Sequence, residues 1–168
     1  MDKLEKLKQE ILKKVKEYHN LKFGEKKEFI EGETYVNYGG RFFDEKEMVN
    51  LVDSSLDFWL TSGPWVKEFE TKMAEYLEVK FCSLTNSGSS ANLLAFMALT
   101  SQELGERRIK RGDEVITVAA GFPTTITPAI QYGAVPVFVD VTVPAYNIDV
   151  NELEKALSPK TKAVMIAH

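Results

Sequence analysis

The chain has 168 residues, enough for one ordinary domain with a core and short for most two-domain enzymes. Its 44% hydrophobic and 27% charged residues and net charge of −4 exclude a disordered or coiled-coil design and any general pull toward nucleic acid or acidic membranes. One cysteine, Cys82, excludes an intramolecular disulfide and cannot make a metal site alone; within the apolar run Phe81-Cys82-Ser83-Leu84 it reads as a structural thiol rather than a nucleophile.

In chain order, residues 4–18 place Leu4, Leu7, Ile11, Leu12 and Val15 at helical spacing among Lys and Glu, which predicts an amphipathic helix. This charged start lacks the apolar centre of a signal peptide, and no later stretch has the roughly 18 apolar residues needed to span a bilayer, so a cytoplasmic protein is expected. From Leu21 to Arg41 the period is lost among four glycines and several aromatics, the pattern of an extended arm. Asp44 followed by Glu47 signals the start of a second helix carrying Met48, Leu51, Val52 and Leu56. Gly63-Pro64 ends it and opens a third near Trp65, with Val66, Phe69, Met73, Tyr76 and Leu77 on one face.

After Val79 the pattern changes. Four β-rich runs, Phe81–Leu84, Glu114–Val118, Val135–Val139 and Ala163–Ala167, alternate with segments long enough for helices at Ser89–Leu104, Pro123–Tyr132 and Val150–Leu157. This predicts an α/β fold with a mostly parallel sheet whose nearly all-apolar strands are covered on both faces. The basic cluster Arg107–Arg111 reads as a solvated loop, with a phosphate contact the lesser alternative. The division expected is N-terminal helices and arm over 1–64, then the first part of an α/β domain over 65–168. The last run ends where a functional loop would begin in a parallel sheet; an exposed edge so apolar is unfavourable, so the chain reads as a portion of something longer.

Two stretches carry chemistry. In "NSGSSAN", Gly88 lies between a strand and a helix, where backbone N–H groups and the helix dipole can hold an anion and Ser87, Ser89 and Ser90 offer hydroxyls. The same residues also suit a plain helix cap, and the motif alone does not separate the two. No GxxxxGK[ST] or GxGxxG is present. In "TVAAGFPTT", Phe122 precedes Pro123 at the end of a predicted strand. It could stack on a flat cofactor or plug the core.

The stretches "LTSGPWVKEFETKMAEYL", "NSGSSANLLA", "GDEVITVAAGFPTT", "GAVPVFVDV" and "YNIDVNELEKALSPKTKAV" together resemble the DegT/DnrJ/EryC1/StrS family of sugar aminotransferases and dehydratases, in the pyridoxal-phosphate fold type I class. Within it, "NYGGRFFDEKEMVNLVDSSLDFWLTSG", the extra N-terminal helix and "LTSQELGERRIKRGDEVITVAAGFPTTITP" are most similar to the branch of sugar 3-dehydrases acting on CDP-4-keto-6-deoxyhexoses. The resemblance implies that Gly88, Ser89 and Ser90 hold the cofactor phosphate and that Phe122 stacks on its ring. It also implies that Gly40, Arg41 and Ser62 line the sugar-nucleotide side, with Arg41 pairing with a diphosphate. His168 matches a family histidine at a strand end.

For the dehydrase branch the resemblance implies pyridoxamine 5'-phosphate, or its pyridoxal form, as the cofactor whose ring serves as electron sink while the C3 hydroxyl leaves, in O-antigen sugar synthesis. It further implies a homodimer, a cysteine-ligated [2Fe–2S] cluster and an NADH-dependent reductase partner. The family's catalytic lysine or histidine, its aspartate for the pyridine nitrogen and the cluster cysteines match no position up to His168. The 168 residues alone are therefore expected to be inactive, with no catalytic or metal-ligating residue assigned here. A nucleotide-4-ketosugar aminotransferase, or a non-catalytic binding or dimerisation piece, are the alternatives.

Overall fold

The computed structural model describes residues 2–25 and 28–167. The chain divides by its own contacts into two units, Met1–Cys82 and Ser83–His168. The sequence-based division after residue 64 differs from this one by the third helix and the segment behind it.

In the first unit, α1 (Lys3–Phe23) is longer at its carboxyl end than the periodicity predicts and packs on α2 (Glu45–Leu56). Lys8 ion-pairs with Asp53 and lies 3.8 Å from Asp57, and Lys16 reaches Glu45 at 2.9 Å. Near the end of α1, the rings of His19, Phe23 and Phe43 meet in a cluster, with Phe23 and Phe43 edge to face at 5.2 Å. The start of α2 is the predicted capping box: Asp44 accepts from Lys46 N–H at 2.7 Å and its own N–H donates to Glu47 at 2.7 Å. The Lys46 N–H, then the Lys46 ammonium, hold the Asp44 carboxyl below the ordinary aspartate range.

Between α2 and α3 (Pro64–Tyr76) the chain turns tightly. Trp59 Nε1 donates to the Ser62 carbonyl at 2.8 Å, and a Cβ at Gly63 would come within 2.8 Å of the Trp59 ring. Only a glycine lets that ring lie against the backbone. Among the described residues of this unit His19 alone is buried, so every apolar side chain keeps some exposure.

The second unit holds the core. Three strands, β1 (Glu114–Val118), β2 (Val135–Val139) and β3 (Thr161–Val164), form a parallel sheet in the order β2-β1-β3. Val115, Ile116 and Thr117 of the central strand are buried, and Thr117 Oγ1 donates to the Met165 carbonyl at 2.8 Å. Phe96 of α4 (Gly88–Leu99), Ala129 of α5 (Pro123–Tyr132), Ile109, Val115 and Ala134 make one cluster. The helix α6 (Val150–Ala156), capped by Asp149, links β2 to β3. Gly133 ends α5 in the left-handed region at φ +96°, where glycine carries no Cβ penalty.

Four expectations change. Phe81–Leu84 forms no strand and lies outside the sheet with Phe81 79% exposed, so among the described residues the sheet has three strands, not four. A strand exists through pairing, and Phe81–Leu84 pairs with neither outer edge of the sheet, that of β2 or that of β3. The last strand lies at Thr161–Val164 rather than 163–167, and Met165 N–H extends its ladder to Ile116 at 2.9 Å. Only β1 is buried on both faces; Val135 and Phe138 of β2 and Val164 of β3 are exposed.

The helix expected to run to Leu104 stops at Leu99, and the Thr100 hydroxyl donates to the Met97 carbonyl at 2.7 Å just past its end. Ser101 then caps a separate 3-10 segment, Gln102–Arg107. The basic cluster behind it serves the surface: Lys110 pairs with Glu106 at 2.8 Å, and the Arg111 guanidinium lies 5.9 Å from the Tyr132 ring centroid.

Candidate functional site

The turn into α4 is built by Ser87. Its backbone is extended (φ −163°, ψ 161°), and its hydroxyl accepts from Ser90 N–H at 3.2 Å while donating to Ser90 Oγ at 3.2 Å. Thr85 Oγ1 holds the Ser87 carbonyl from behind at 2.9 Å. This is the helix cap that the sequence allows.

The cap does not use the two donors between Ser87 and Ser90. Among the described residues the N–H groups of Gly88 and Ser89 have no acceptor, and the first turn of α4 carries no acidic side chain. A Cβ at Gly88 would meet nothing within 4 Å. The result is an open approach to two free N–H groups at the positive end of a 12-residue helix, the arrangement that holds a phosphate. The motif is thus a cap that leaves two backbone donors open, divided by residue. Ser87 is spent on the cap, contrary to its expected role as a further donor, whereas Ser89 and the Ser90 hydroxyl proton remain available.

Phe122 follows β1 through Ala119-Ala120-Gly121. It is the residue before α5, with its carbonyl accepting from Thr125 N–H at 3.0 Å and Pro123 opening the helix. Its ring is 69% exposed. It therefore does not plug the core, and it stands at the carboxyl end of the central strand, where parallel sheets place their ligands.

Ser89 and Ser90 share a cavity of about 210 Å³ with Leu93, Thr124, Thr127, Pro128 and Gln131. Phe122 is not among its lining residues. Asn92 Nδ2 donates to the Thr124 carbonyl at 3.3 Å across the two helices. The polar wall supplied by α5 was not read from sequence; an asparagine inside the otherwise apolar "ANLLAFMAL" and the second proline of "PTTITP" were the signals for it.

In the first unit, Arg41 lines a cavity of about 440 Å³ with Tyr18, Lys22, Phe23, Phe42, Phe43, Glu47, Met48 and Leu51. Gly40, beside it, is exposed with open space around a would-be Cβ. Ser62 is exposed, its carbonyl fixed by Trp59. His168 lies outside the described residues. No cluster of three or more metal-ligating side chains occurs among the described residues, and one cysteine does not fit a cysteine-ligated cluster. No described helix is long and apolar enough to cross a membrane.

Comparison with known proteins bears on the family and the fold. A model of the DegT/DnrJ/EryC1/StrS aminotransferase family matches residues 43–168. The lipopolysaccharide biosynthesis protein RfbH of Salmonella typhimurium is 51% identical over 96% of this chain and 37% of its own length. The dTDP-4-dehydro-2,6-dideoxy-D-glucose 3-dehydratase of Saccharopolyspora spinosa is 44% identical over 96% of this chain and 34% of its own. A crystal structure of GDP-4-keto-6-deoxymannose-3-dehydratase with a trapped PLP-glutamate geminal diamine superposes with a TM-score of 0.67 at 37% identity, over 76% of this chain and 33% of that one. The chain spans about a third of the length of the relatives it matches.

Proposed function

This chain belongs to the DegT/DnrJ/EryC1/StrS aminotransferase family, and on that premise we propose that it is the N-terminal part of a pyridoxamine-phosphate-dependent sugar 3-dehydrase. Its substrate in this reading is a CDP-linked 4-keto-6-deoxyhexose, which loses its C3 hydroxyl on the way to a 3,6-dideoxyhexose. The α/β unit is part of the large domain of the type I fold of pyridoxal-phosphate enzymes. The observation that carries the proposal is the pair of free N–H groups, Gly88 and Ser89, at the open end of α4.

In this reading Gly88 and Ser89 donate their amides to the cofactor phosphate, and the Ser89 and Ser90 hydroxyls add two further donors. Phe122 presents its exposed ring to the pyridine face. Bound there, the cofactor supplies an electron sink for the elimination. Arg41, in a cavity shared with Lys22 and several aromatic rings, pairs with the substrate diphosphate, with Gly40 and Ser62 beside that path. In this reading the groups that move the proton are not among these side chains, so the chain alone orients the cofactor and does not turn over.

The test is saturable binding of pyridoxamine 5'-phosphate to the 168-residue chain. Ser89→Ala and Phe122→Ala are each expected to weaken it several-fold, with no turnover of a nucleotide-4-ketosugar by any of the three proteins. Binding unaffected by both substitutions would remove the cradle, and measurable turnover would remove the assignment of the chemistry to residues elsewhere.

A further inference from the structure

In an α-helix each carbonyl accepts the N–H four residues on. In α5 the residue four after Thr124 is Pro128, which has no N–H. The Thr124 carbonyl is thus left over by the helix's own sequence. It sits in the first turn of α5, two residues after Phe122, and the group that fills the vacancy is the Asn92 amide of α4 at 3.3 Å. A buried proline here costs the helix a hydrogen bond and gives the neighbouring helix an attachment point. Among the described residues no other side-chain hydrogen bond joins the amino-terminal ends of α4 and α5; toward their carboxyl ends they meet through the Phe96 and Tyr132 rings, 6.1 Å apart.

We propose that Asn92 is a positioning residue. Its amide, anchored on the carbonyl freed by Pro128, sets the separation between the phosphate donors of α4 and the ring-facing Phe122 at the head of α5. This rests on the cofactor reading of Gly88, Ser89 and Phe122. Asn92 is not among the residues lining the cavity at Ser89 and Ser90. It acts on the ligand that spans both helices, because phosphate alone needs only α4, whereas a pyridine bearing the phosphate needs the two helix starts at a fixed spacing.

The experiment compares inorganic phosphate with pyridoxamine 5'-phosphate on the 168-residue chain, its Asn92→Leu and Asn92→Ala variants, and the same changes in a Pro128→Ala background. Leu keeps the branched shape and loses the donor without adding charge; Ala at 128 returns an N–H to the Thr124 carbonyl. The wild-type chain should bind the pyridine compound more tightly than phosphate. Both Asn92 variants should lose about three- to tenfold of that excess, the scale of one neutral hydrogen bond, with phosphate affinity unchanged. In the Pro128→Ala background the Asn92 effect should shrink, a coupling that a double-mutant cycle reads directly.

An equal loss for both ligands would mark Asn92 as packing only and overturn the proposal, as would an excess unchanged in both variants. If the wild-type chain binds neither compound, the cofactor reading itself fails and the proposal falls with it. Wild-type binding with an unchanged excess in the variants leaves the cofactor reading standing and removes Asn92 alone.

Discussion

Ser87 and Gly88 are adjacent, and the structure gives them separate tasks. The Ser87 hydroxyl satisfies an N–H that the helix cannot, so Ser87→Ala should destabilise the second unit by about 1 kcal/mol, read as a shift of the denaturation midpoint. Gly88 has no such duty. It is the first residue of α4 and follows a residue in extended conformation, a setting in which proline is well tolerated. Gly88→Pro removes one free N–H and keeps the helix, so it should leave stability unchanged or raised while weakening phosphate and pyridoxamine-phosphate binding several-fold. A variant that unfolds instead would show that the backbone at 88 carries strain absent from this geometry. The residue types at this turn were legible in the sequence. Which serine was spent and which N–H groups were free was not, because that depends on a rotamer and on two hydrogen bonds.

At the scale of the elements, start signals read well. The Asp44–Glu47 box, the Gly63-Pro64 turn and the Phe122-Pro123 boundary all open helices where predicted, since each acts over three or four residues. The box also predicts a pH dependence. The Asp44 carboxyl is held below the ordinary aspartate range in the folded chain. Its contribution is therefore fully present above the ordinary range and is lost as pH falls through the lowered folded value. The protection of the Lys46 amide, its exchange rate relative to the intrinsic rate at the same pH, should fall over that acidic interval, and Asp44→Ala should show the lower protection already at neutral pH; equal protection in the two proteins at neutral pH would remove the cap from α2. Stop signals read less well. Nothing in the apolar period marks Leu99 as the end of α4; the Thr100 hydroxyl bond and the Ser101 cap lie just past it.

At the scale of the whole chain, α4 is apolar around its circumference, yet only Phe96 is buried; Leu93, Leu94, Met97 and Leu99 remain exposed, Leu94 by 57%. A helix of this composition is suited to burial on every side, and the chain spans about a third of its relatives' length. The isolated chain should therefore self-associate through such surface. Sedimentation velocity across a concentration series should show this for the wild type, and Leu94→Glu should reduce it without loss of helix. A wild-type chain that stays monomeric at high concentration would contradict the expectation.

The sequence by itself determined the class of the fold, two of the three strands to the residue, the helix starts, and the stretch that carries the candidate phosphate site. All of these follow from local spacing and from residue types with narrow backbone preferences. Only the tertiary structure decided that Phe81–Leu84 stays out of the sheet, that Phe122 faces outward, and that Asn92 meets the Thr124 carbonyl. Each of those depends on which distant segment occupies a neighbouring place. Pairing, burial and a hydrogen bond across 32 residues are properties of two segments at once, and neither segment encodes them alone.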